Sequence, residues 1–118
     1  MSKNKKDLQI SVTLDEDNVP EKIEWGGTDA GGTDTQNIRA LMLSMWDQTN
    51  KDTLRLDLWT KDMAVDEMKI FFHQTLSTMA DTLEKSIQDE RIAGDMRDFC
   101  AYFADKMEIV DENGDNNQ

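Results

Sequence analysis

Polar and apolar residues alternate through DLQISVTL. Leu8, Ile10, Val12 and Leu14 fall on one side, and Asp7, Gln9, Ser11 and Thr13 on the other. That period of two predicts a half-buried strand. DEDNVPE, which holds the chain's only proline, Pro20, turns the backbone, and KIEW resumes the alternation with Ile23 and Trp25 inward. The pair predicts a hairpin with a long loop. After the glycine-rich WGGTDAGGTDT, the stretch TQNIRALMLSMWDQ places Ile38, Leu41, Met42 and Met45 at helical spacing, and Leu43 and Trp46 widen that face. This predicts a central helix capped by Asp34 or Thr35. DTLRLDLW returns to alternation as a third strand. Its Leu54, Leu56 and Leu58 point to the core, with Thr53, Arg55, Asp57 and Trp59 on the wet face. A sheet wet on one face is usually antiparallel or mixed.

From about Ala64 the apolar residues step by three or four: Val65, Met68, Phe72, Leu76, Met79, Leu83 and Ile87. Asp66 and Glu67 stand in the first turn, where the helix dipole favours negative charge. A last helix carries Met96, Phe99, Cys100, Phe103, Met107 and Val110. DERIAGD is the break, with Gly94 as the weak point and Asp95 as the cap. The fold class is therefore α+β: a small three-stranded sheet with helices on one face, in the order strand-strand-helix-strand-helix-helix. Residues 7–110 form one domain between a disordered basic N-terminus, 1–6, and a disordered acidic tail, 111–118.

The totals narrow the function. A chain of 118 residues, 37% hydrophobic and 32% charged, fits one soluble globular domain. Its net charge of -12 repels nucleic-acid backbones and anionic lipid, and favours a basic or mixed protein partner. The KNKK tip reads as a solvated end. The single cysteine, Cys100, rules out an internal disulfide framework. With no apolar leader after the lysines and no spanning window, a cytoplasmic protein with no membrane span is expected.

Candidate chemistry is thin. WGGTDAGGTDT lacks the G-x-G-x-x-G spacing and the G-K-[ST] lysine of phosphate loops, and its Asp29 and Asp34 would repel a phosphate. It reads as a flexible connection. The tail residues Asp111, Asn113 and Asp115 alternate like calcium ligands, but no bidentate Glu follows and Gly114 comes a position early. His73 and Cys100 are the only residues of their kinds and lie on different predicted helices, so neither a zinc set nor a thiol–imidazole pair is expected. Asp15 with Asp17, and Asp66 with Glu67, read as solvated acids. Most of the eight methionines fall on core stripes. Trp59 is different, because parity places it on the polar face beside Arg55 and Asp57. There it is either covered by a neighbouring segment or anchors a partner.

One longer pattern goes further. LRLDLWTKDMAVDEMKIFFHQTLSTMADT, with VTLDEDNVPEKIEW, ALMLSMWD and MRDFCAYFADKMEI, resembles the gliding-motility protein GldC family of gliding bacteria, in the same order. The resemblance implies an accessory cytoplasmic protein of the gliding machinery, which in these bacteria is linked to a dedicated protein-secretion apparatus. It brings no catalytic residue, cofactor or substrate. The expectation is a non-catalytic adaptor or assembly factor without cofactor or metal. Its candidate partner contacts are Trp59, Arg55 and Asp57 on the sheet face and Phe71 off the main helical stripe. The alternatives are a homodimer that buries the same sheet face and, less favoured, a small-ligand-binding protein or a thiol enzyme using His73 and Cys100.

Overall fold

Leu8–Leu14 forms β1 and Pro20–Gly27 forms β2, the antiparallel pair that the alternation predicts. Ile10 stands opposite Trp25, and Val12 opposite Ile23. Directly opposed residues share a face, so the apolar positions of both strands gather on one side. The turn is built by Asp15. Its Oδ1 accepts the N–H groups of Asp17 at 2.8 Å and Val19 at 3.0 Å, while Asn18 takes a left-handed φ of 64°. Asn tolerates that conformation better than most residues. The computed structural model describes residues 4–27 and 35–109. The expected flexible connection lies outside the described residues over 28–34. Residues 1–3 and 110–118, which hold half of the expected disordered N-terminus and all of the expected disordered tail, lie outside them too.

The central helix is replaced by strands. Thr35–Ile38 is β3, which pairs antiparallel with β2, and Ala40–Asp47 is β4, which pairs antiparallel with β5, Asp52–Trp59. ALMLSMW satisfies both periods, because Leu41, Leu43 and Met45 also alternate. Cross-strand partners decide between them: Leu41, Leu43 and Met45 oppose Leu58, Leu56 and Leu54. Long-range pairing of this kind overrides local spacing. The single three-stranded sheet is likewise replaced by two antiparallel sheets, β1-β2-β3 and β4-β5. Among the described residues the element order is five strands followed by two helices.

Arg39 is the corner between the sheets. Its carbonyl accepts the Thr60 N–H at 2.8 Å, and its Nη1 lies 3.2 Å from Asp62 Oδ2. The buried Thr60 hydroxyl donates to Asp62 Oδ1 at 2.7 Å. Beyond β5, the Lys61 N–H is held by the Pro20 carbonyl at 3.0 Å, and Lys61 Nζ meets Asp15 Oδ2 at 2.9 Å. These contacts tie β5 to the first hairpin, which matters because a two-stranded sheet alone is marginal in water. Among the described residues Ile23, at 0% exposure, is the fully buried large side chain.

The chain divides at Met63/Ala64 into two compact units, strands before and helices after. The helical unit is a hairpin of α1, Val65–Ile87, and α2, Glu90–Lys106. The break is at Gln88–Asp89, at the very start of DERIAGD, and the cap is Asp89 in place of the expected Asp95. Gln88 adopts φ 63° and its N–H closes on the Glu84 carbonyl, and Asp89 then caps α2 by accepting from the N–H groups of Arg91 and Ile92. Gly94 sits inside α2. The end of α2 has the doubled closure of a Schellman turn: the Ile109 N–H bonds Ala104 O, and the Glu108 N–H bonds Asp105 O. Ala80 on α1 and Ala93, Cys100 and Ala104 on α2 are buried. Arg97 joins the helices, 2.9 Å from Asp81 Oδ1 and 2.7 Å from Glu84 Oε1. The apolar stripe expected to be core is only partly covered, since Phe72, Met79, Ile87 and Phe99 remain exposed.

Candidate functional site

The register of β4 and β5 sorts their side chains into two faces. Leu41, Leu43 and Met45 with Leu58, Leu56 and Leu54 form an apolar ladder on one side. Ala40, Met42, Ser44 and Trp46 with Trp59, Asp57, Arg55 and Thr53 form the other. On this second face two tryptophans stand open, Trp46 at 67% and Trp59 at 56% exposure. They occupy opposite ends of the hairpin, roughly 20 Å apart at the rise of an antiparallel strand. Between them Arg55 Nη2 lies 2.6 Å from Asp57 Oδ1.

Trp59, Arg55 and Asp57 thus share one face, as parity predicts. Phe71 belongs to the helical unit. It is half-buried, and its ring meets Phe72 edge-on at 6.4 Å between centroids. Trp46 was missed because it fell on the apolar face of the expected helix. The signal lay in Met42, Ser44 and Trp46 alternating against Leu41, Leu43 and Met45, followed by the Asp47 turn. Asp47 Oδ1 accepts the N–H groups of Thr49 at 3.0 Å and Asn50 at 3.4 Å, and Asn50 Nδ2 donates to Oδ2 at 2.9 Å. These bonds hold the Asp47 carboxyl below the usual carboxylate range.

Asp15, Asp62 and Arg97 are engaged in structural contacts. Asp15 is drawn down to about 2, first by the hydrogen bond from Lys61 and then by the Val19 and Asp17 N–H groups. The Thr60 hydroxyl, and then Arg39, lower Asp62. Asp81 and Glu84 raise the Arg97 guanidinium above its ordinary value. His73 stacks on Phe103 at 6.3 Å between centroids, and Cys100 is buried on α2. Among the described residues no group of three or more His, Cys, Asp or Glu is placed to hold a metal ion. An open groove of about 340 Å³ on the helical unit is lined by Thr78, Met79, Thr82, Leu83, Ser86, Ile87 and Met96, with no ionisable side chain. The Thr78 and Ser86 hydroxyls already donate to carbonyls of their own helix.

Comparison with known proteins settles the family. The model of the gliding motility-associated protein GldC-like family matches residues 20–109. The chain belongs to the GldC-like family. No curated protein and no solved structure matches it. The family match runs from the start of β2 to the turn after α2, so it contains the whole tryptophan-bearing face of this GldC-like chain. Among the described residues no helix is long and apolar enough to cross a membrane.

Proposed function

We propose that this GldC-like protein works in the cytoplasm as a non-catalytic accessory factor of the gliding-motility and secretion machinery, joining components by protein–protein contact through the tryptophan-bearing face of β4 and β5. The observation that carries this reading is the pair of open tryptophans, Trp46 and Trp59, on one sheet face around an ion pair. Tryptophan and arginine are the residues on which binding energy most often concentrates, and indole supplies large contact area at small entropic cost. The net charge of -12 favours a partner with a basic or mixed surface.

Affinity capture from the native host under gentle crosslinking tests the reading. Motility or secretion components are expected with the wild-type bait and are lost with Trp59→Ala or Trp46→Ala. Substituting the exposed Lys51, in the hairpin turn, changes nothing. Equal recovery of those components by the tryptophan variants would exclude this face.

A further inference from the structure

We propose that β4 is a self-pairing edge, through which two copies of this chain join as an antiparallel β5-β4-β4-β5 sheet. Among the described residues β4 has a strand neighbour on one side only, namely β5. The other side presents backbone N–H and C=O groups that a strand can satisfy. Natural edges are usually protected by charge or proline. β4 carries neither between Ala40 and Trp46, although 32% of the chain is charged.

The sequence of β4 also matches its own reverse. With the two-fold axis at Leu43, Leu43 faces Leu43 of the second copy, and Leu41 faces Met45. Met42 faces Ser44, and Ala40 faces Trp46. Arg39, just before the strand, then falls opposite Asp47, the one charge at its far end. Shifting the axis by one residue to Met42 or Ser44 loses that charge pair. The guanidinium has donors beyond the Nη1 that meets Asp62, and the half-buried Asp47 carboxylate has lone pairs beyond those used in its turn. The net charge of -12 opposes association of copies, and an edge without charge from Ala40 to Trp46 adds no like-charge contact to that penalty.

The other edges fit less well. β1 is also free of charge, but pairing it with itself about Ser11 sets Asp7 opposite Asp15, a like-charge contact. β5 carries Asp52, Arg55 and Asp57, and the chain just beyond it is already held by Pro20 of β2. β3 is short, at 4 residues.

Sedimentation equilibrium of the full chain over a wide concentration range tests the proposal. A reversible monomer–dimer equilibrium is expected. Ser44→Lys places a lysine at an exposed position of the pairing strand in both copies. It should weaken dimerisation at least tenfold with an unchanged circular dichroism spectrum. Arg39→Asp sets two carboxylates opposite each other and should also weaken the dimer. Asp47→Asn, which keeps the turn-building acceptor, should restore much of that loss in the double variant. A purely local role of Arg39 at the Asp62 corner would not be rescued in this way. A chain that stays monomeric throughout, a dimer indifferent to Ser44→Lys, or an Arg39→Asp defect unrelieved by Asp47→Asn would overturn the proposal.

Discussion

Asp15 shows how one side chain fixes a turn and a long-range contact together. Its carboxylate holds the β1–β2 turn through Asp17 and Val19, and Lys61 reaches it from beyond β5. Its pKa of about 2 lies below the ordinary 3.8. A depressed carboxylate contributes stability that is fully present above the ordinary value. That contribution is lost as pH falls through the folded value, here between about 4 and 2. Carbon-detected NMR titration should give an Asp15 midpoint near 2, and Lys61→Met should move it back toward 3.8. An ordinary midpoint in the wild type would contradict the Lys61 contact. DEDN announces this turn in the sequence, because Asp and Asn favour local hydrogen bonds and left-handed backbone. Lys61, far along the chain, carries no such signal. Trp59 was legible for the same local reason, since parity alone places it beside Arg55 and Asp57.

At the scale of elements, β1, β2, β5 and the helical region follow from periodicity, and two junctions do not. β4 fits helical and alternating spacing equally, and only its pairing with Leu54, Leu56 and Leu58 distinguishes them. Within DERIAGD intrinsic propensity favours Gly94 as the weak point and Asp95 as the cap, yet Asp89 supplies the oxygen that the free N–H groups of α2 need. These two residues therefore respond oppositely to alanine. A methyl added at Gly94 meets nothing within 4 Å, so Gly94→Ala should raise stability by about 0.5–1 kcal/mol. Asp89→Ala removes the cap and should cost about 1 kcal/mol. Urea unfolding of both variants checks the pair. Destabilisation by Gly94→Ala with a neutral Asp89→Ala would return the break to Gly94.

At the scale of the whole molecule, acid charge and open apolar area meet on one small hairpin. The net charge of -12 keeps copies and anionic partners apart, while β4 is uncharged from Ala40 to Trp46 and Trp46 and Trp59 stand open on its hairpin. The two-fold axis of an antiparallel strand pair stands perpendicular to the sheet. Self-paired copies would thus present both tryptophan faces on the same side, and a partner with two sites would gain by avidity. Membership of the GldC-like family brings the association with gliding motility, which neither spacing nor geometry could name. The tryptophan face and the self-pairing edge both require residues 40–47 to be a strand. Nuclear Overhauser spectroscopy of the isotope-labelled chain tests this most directly. Backbone contacts should join Leu43 to Leu56 and Met45 to Leu54, with extended chemical shifts throughout β4. Helical shifts over residues 40–47, without those cross-strand contacts, would contradict both proposals at once.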